Sequence, residues 1–194
     1  MNKNGMKRMA VMAMLMALIV VLQFVSSMIP PIGGFTISLV LIPIVIGAAV
    51  YGIRAGAILG ATFGIIVLIN CITGADVGGH MVFQASPLLC ALVVVGKGVL
   101  AGVASGWVYR VLKNKNAYIA MLLAAVICPI MNTGTFLACM AVFFIDVLSA
   151  WAGGGDVLGY VLSGIVLVNF LPELIINIVF GMAGQGVIKA IEKK

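Results

Sequence analysis

This sequence predicts an all-α membrane protein, a bundle of six transmembrane helices with both termini on the same side. Three observations carry the prediction. Hydrophobic residues make up 64% of the 194-residue chain and charged residues only 8%, where a soluble domain carries about 25%. The apolar residues fall into runs long enough to cross a bilayer, which takes ~20 residues of helix. Short breaks rich in Pro, Gly and polar residues separate the runs. Six spans with short loops use up residues 1–194 as one transmembrane domain and leave no room for a soluble ATPase.

The first span is read at about 9–28. The basic start, Lys3 to Arg8, is reminiscent of a signal peptide. The apolar run after it continues without a small-x-small cleavage pattern, and further spans follow, so it reads as a membrane helix. Pro30, Pro31, Gly33 and Gly34 then make a tight loop. Span two, about 35–50, has Pro43 inside it and is expected to kink there, because proline frees a backbone carbonyl that needs another partner. Gly52 and Arg54 form a short turn into span three, about 55–72. The stretch 73–84, with Asp76, Gly78, Gly79 and His80, reads as a polar loop and His80 as a solvated side chain. Span four, about 86–111, begins with Pro87 in its first turn, where proline is tolerated. Span five, about 117–146, contains Pro129; a glycine loop follows, and span six, about 157–188, contains Pro172. The last two exceed what a bilayer needs, which implies tilt, kinks or protruding ends.

With six spans and a cytoplasmic N-terminus, ten of the eleven basic residues lie on the cytoplasmic side and Asp76, Asp146 and Asp156 outside. That distribution satisfies the positive-inside rule and places the C-terminus in the cytoplasm as well. The net charge of +6 therefore reflects topology and gives no reason to invoke nucleic acid. The four cysteines form no CxxC pair and read as small apolar residues. One histidine and scattered cysteines give no metal-ligand spacing, and no cofactor is implied. Intramembrane catalysis would need a nucleophile–base or metal constellation. The only histidine and the aspartates lie in loops or at helix ends, so no catalytic residue is named.

Two charges stand out. Lys97 lies about a dozen residues from either end of its span, roughly 18 Å, too far for a lysine stem to snorkel. Glu173 lies at similar depth in span six. Charge there costs a few kcal/mol on insertion scales, so such residues pair or face a polar cavity. Asn169, Glu173 and Asn177 repeat at i, i+4, i+8 on one helix face over roughly 12 Å. Asn132, beside Thr133 and Thr135, is a further amide at depth, and Gln84 and Ser86 open span four within reach of a ligand. Asn177 reads as structural, Trp151 as an interface anchor, and Phe136 as packing. Gly56-xxx-Gly60-xxx-Gly64 and Gly98-xxx-Gly102-xxx-Gly106 are small-residue stripes that let helices approach closely. Ala13-xxx-Ala17 is a weaker stripe that could pack internally or dock an external helix.

Six short-looped helices with Ala13-xxx-Ala17 in the first resemble the substrate-binding S component of an energy-coupling factor (ECF) vitamin transporter. The run Thr36-Ile-Ser-Leu-Val-Leu-Ile-Pro-Ile-Val-Ile-Gly47, then Tyr51-Gly-Ile-Arg-Ala-Gly56 and Gly60-Ala-Thr-Phe-Gly64, is similar to the pantothenate type, as are Phe83 to Pro87 and the small-residue helix after them. The resemblance is carried by about the first 110 residues, and beyond them by topology and Asn132-Thr-Gly-Thr135.

The resemblance implies a protein of the bacterial cell membrane that binds a small water-soluble vitamin from outside. It would deliver the vitamin inward when docked on a transmembrane coupling protein (T component) driven by two cytoplasmic ATPases. It also implies a pocket in the outer half of spans four to six; the candidate substrate contacts, read from their depth or their place at a span's outer end, are Lys97, Asn132, Asn169, Glu173, Gln84 and Ser86. Ala13 and Ala17 would line the docking surface. Pantothenate is the leading substrate, because a deep lysine suits a carboxylate, and another vitamin such as riboflavin is the alternative. Lys97 and Glu173 as a structural ion pair is the plainer reading of those two residues. A rival of another class is a stand-alone proton-coupled secondary transporter using Lys97 and Glu173, which an internal inverted repeat would favour.

Overall fold

The computed structural model describes the backbone of residues 3–28 and 39–192, and the side chains within 5–28 and 39–186. The Pro30–Gly34 loop and residues 35–38 of span two lie outside the described residues. The rest is helical: α1 (Lys3–Met28), α2 (Leu41–Tyr51), α3 (Ile53–Thr73), α4 (Val77–Ala85), α5 (Pro87–Leu112), α6 (Ala117–Phe143), α7 (Ile145–Trp151), and a last long helix. That last helix begins as α8 (Val157–Tyr160), widens to π winding over Val161–Phe170 and continues as α9 (Leu171–Glu192). Five helices are long and apolar enough to cross a membrane: Gly5–Met28, Ile53–Thr73, Pro87–Leu112, Ala117–Phe143 and Val157–Gly186; α2 is a shorter apolar helix. The protein is thus an all-α, multi-pass membrane protein. Its outward side chains are apolar, among them Ile58, Ile65, Ile69, Leu92, Leu167 and Val179, as a lipid-facing surface requires.

The centre of the bundle is the contact between α3 and α5, the most extensive in the molecule. It exists because both helices present glycine along the seam. A Cβ on Gly56 would strike the carbonyl of Gly102, and one on Gly60 the carbonyl of Gly98; the converse holds for Gly98 and Gly102. Rising numbers on one helix meet falling numbers on the other, so the helices run antiparallel with their backbones in contact. The two glycine stripes therefore pack against each other rather than against separate neighbours. Phe63, Val94 and Ala101 fill the flanks of this seam within the core.

The prolines differ in effect because they differ in position. Pro43 falls in the first turn of α2, which starts at Leu41, so its missing N–H is one that no helix would pair. The kink expected from a proline inside a longer span has no cause there. Pro129 is in the interior of α6 and leaves the carbonyl of Ala125 without its i+4 donor. Asn177 of α9 takes that carbonyl, its Nδ2 donating to Ala125 O at 2.7 Å, and Ser105 of α5 donates to the adjacent Ala124 O at 3.2 Å. Pro172 follows the π-wound segment, whose last bond runs from Leu171 N–H to Val166 O, five residues back.

At the end of the bundle holding the α3–α4 connection and the α6–α7 corner, the stretch read as a polar loop is mostly helix. Asp76 caps α4, accepting from Gly79 N–H at 3.0 Å. His80 is half-buried, not solvated. Its Nδ1 bonds the carbonyl of Cys71 at 2.8 Å, and since a carbonyl only accepts, Nδ1 carries the proton. The Gln84 amide then donates to Nε2, also at 2.8 Å. Glycine here serves packing: a Cβ on Gly79 would crowd Cys71 Sγ at 2.5 Å, and one on Gly78 would meet the Trp151 ring at 3.3 Å.

Gly60→Ala should lower the unfolding free energy of the detergent-solubilised protein by about 1–3 kcal/mol, since the added methyl meets rigid backbone rather than a side chain that can yield. Gly96→Ala has open space around it and should be neutral or slightly stabilising. Equal melting temperatures for the two variants would contradict the seam.

Candidate functional site

The glycine seam places the first charged group. Lys97 is next to Gly98, so its stem leaves α5 where α3 approaches most closely. The ammonium sits over the Phe136 ring of α6, 4.6 Å from the centroid, and 5.9 Å from that of Phe63 on α3. Two aromatic faces give a cation partial compensation without neutralising it. The Lys97 amine is half-buried and lines a cavity of about 190 Å³.

Seven helices (α1, α3, α4, α5, α6, α7 and the last long helix) and the connection between α3 and α4 wall this cavity. Lys97 and Val94 come from α5, Asn132, Thr133 and Phe136 from α6, Asn169 from the π-wound turn, and Glu173 from the first turn of α9. Glu173 is 2% exposed. Thr133 lines the cavity beside it, and the Glu173 Oε2 has no hydrogen-bond partner among the described residues. Asn132 is 5% exposed, and its Oδ1 likewise has none. Lys97 and Glu173 line the same cavity and act on each other electrostatically. The site thus presents a cation and several acceptor oxygens to one enclosed space.

The residues singled out in the sequence divide into three groups. Lys97, Asn132, Asn169 and Glu173 share the cavity. Gln84 and Ser86 do not line it; Gln84 is exposed and spends its amide on His80. Ala13 and Ala17 lie on the exposed side of α1, away from the cavity. The Asn169–Glu173–Asn177 stripe splits, its upper two members at the cavity and Asn177, 1% exposed, against α6.

Other members were invisible to a reading by spans. Trp151, at the end of α7, lines the cavity and stacks on Phe136 with centroids 6.3 Å apart and planes 22° from parallel. Phe136 joins Lys97 and Trp151 as a stacking surface in the cavity wall. Gln23 and Ser27 reach the cavity from α1. Cys71 and Cys90, from α3 and α5, are fully buried in its wall. Only the i, i+4 spacing of Gln23 and Ser27 inside an apolar helix was available as a signal.

A polar, charged pocket at depth, walled by apolar helices whose outer faces are lipid-like, is the arrangement of a membrane protein that binds a hydrophilic solute. Residues 7–183 match the family described as ECF transporter, substrate-specific component, and this chain belongs to that family. It is also 27% identical over 196 aligned residues to the pantothenic acid transporter PanT of Lactococcus lactis subsp. cremoris (strain MG1363), an alignment that covers 94% of each chain. No solved structure matches the chain.

Asn177→Leu should lower the unfolding free energy by about 1–3 kcal/mol, because it orphans the Ala125 carbonyl that Pro129 leaves unpaired. Pro129→Ala, which restores a helical N–H for that carbonyl, should recover part of the loss in the double variant. A melting-temperature cycle on the four proteins that gave strict additivity would refute the link between the two residues.

Proposed function

We propose that the chain is the substrate-binding S component of an ECF-type importer, a single transmembrane domain over residues 1–194. In this reading six spans cross the bacterial cell membrane, α2 belonging to the second, and both termini are cytoplasmic. The cavity then opens toward the outside, beneath α4, α7 and Trp151. The solute is a small vitamin bearing a carboxylate, with pantothenate the substrate. One observation carries the reading: a Lys97 ammonium that aromatic faces compensate only in part faces the same cavity as Asn132, Asn169 and Glu173, in a chain whose family is substrate-specific.

The physics is that of exchange of hydration for protein contacts. A carboxylate entering the cavity meets Lys97, for which Phe63 and Phe136 are only partial partners. The carboxylate of Glu173 accepts from a solute hydroxyl or amide, since its Oε2 has no donor among the described residues. Asn132 and Asn169 offer amides that can donate or accept. Trp151 closes over the bound molecule and excludes water, which strengthens each polar contact. The binding subunit supplies recognition, and energy comes from the T component and two ATPases. Ala13 and Ala17, exposed and without side-chain bulk, give the T component a surface that a helix can approach closely.

Tryptophan fluorescence of the purified chain should change on titration with pantothenate. The change should survive Trp107→Phe, because Trp107 is 59% exposed on the outer wall, and vanish with Trp151→Phe. Lys97→Ala should raise Kd by about 10- to 100-fold, the worth of one charge-assisted contact. Calorimetry with a vitamin panel reads the substrate directly, and tight binding of a different vitamin would retire pantothenate while leaving the S-component assignment in place.

A further inference from the structure

We propose that Gln23, on α1, is a substrate-reading residue of this cavity, resting on the binding function just described. Three observations converge on it. Gln23 is 8% exposed, deep for an amide in an apolar helix. Its Oε1 has no hydrogen-bond partner among the described residues. And it lines the same cavity as Lys97, Asn132 and Glu173. A buried amide oxygen without a partner carries an unrepaid desolvation cost, which a donor on a bound solute would offset.

The chemistry complements the opposite wall. Gln23, Asn132 and Glu173 each carry a buried oxygen without a partner, on α1, α6 and α9 respectively. Lys97 adds the one cation. The ligand this set fits has an anionic group at one end and at least two hydroxyl or amide donors along its length. An apolar acid would leave all three oxygens unpaired, so the set selects polyhydroxylated or amide-bearing carboxylates against plain fatty acids. Gln23 is the reader that tells them apart from the α1 side.

Its place in the fold gives the contact a second effect. The stripe of Met12, Leu15, Ile19, Gln23 and Ser26 faces the bundle, while Ala13 and Ala17 face out. α1 packs chiefly on α2 and α3. A ligand held by Gln23 together with Lys97, Asn132 and Glu173 ties α1 to α5, α6 and α9, so occupancy stiffens the helix whose other side is exposed.

The test is Gln23→Leu, made beside Lys97→Ala and read in two ways on the full chain in detergent. The first needs no ligand. Because Gln23 serves the ligand and not the fold, the melting temperature of the ligand-free variant should equal or exceed that of the parent. A lower value would overturn the proposal by showing that the amide stabilises the bundle. The second is calorimetric titration with pantothenate, where Gln23→Leu should raise Kd at least ~10-fold. Binding lost in Lys97→Ala and unchanged within twofold in Gln23→Leu would overturn the role of Gln23 and leave the binding function standing. Absence of pantothenate binding to the parent protein would retire that substrate, and the ligand-free melting temperature would still decide for or against Gln23.

Discussion

The structure depends on the backbone contact between α3 and α5. Helices in a membrane gain nothing by moving apolar side chains from lipid into one another, so their association rests on how closely they pack. Gly56 and Gly60 on one side and Gly98 and Gly102 on the other bring the two backbones together, with no Cβ between them. That contact fixes where Lys97 emerges and why Phe63 lies within 5.9 Å of its ammonium. Had a larger residue replaced any of the four, α3 and α5 would stand apart and the cavity would lose its floor.

A second constraint is the need to satisfy backbone groups where water is absent. Pro129 breaks the hydrogen-bond ladder of α6, and the bundle answers with Asn177 from α9. The same pairing holds α9 at a rotation that leaves Glu173, one turn away, facing the cavity. A structural amide and a cavity-lining carboxylate thus share a single helix face, and the lower one sets the position of the upper. Wide winding before Pro172 adds room in the turn that carries Asn169.

Membership of the ECF substrate-specific family accords with what the site holds. A cation and several acceptor oxygens enclosed beneath an aromatic cover suit capture of a hydrophilic solute. They are arranged around one cavity at one end of the bundle, as befits a subunit whose task is recognition. The exposed side of α1, with Ala13 and Ala17, and its buried side, with Gln23, put a lipid-accessible surface and the solute cavity on the two faces of one helix.

Much of this was legible in the chain. Spans follow from runs of apolar residues, because a bilayer accepts little else. The glycine stripes announce close packing, and Lys97 and Glu173 announce a polar interior, because isolated charge at that depth is costly. Asn132 and Asn169 followed from the same reasoning. What the sequence could not decide is which groups meet. Gln84 looked free at a helix start until α4 formed and brought His80 within 2.8 Å of it. Trp151 looked like an anchor until the α6–α7 corner turned it onto Phe136. Gln23 and Ser27 lie more than a hundred residues before Asn132 and Glu173 and reach the same cavity. The cause is physical: span, cap and stripe are local properties set by hydrogen bonding and side-chain size along one helix. A binding site is set by how helices rotate and approach, and that is decided by contacts between residues far apart in the chain.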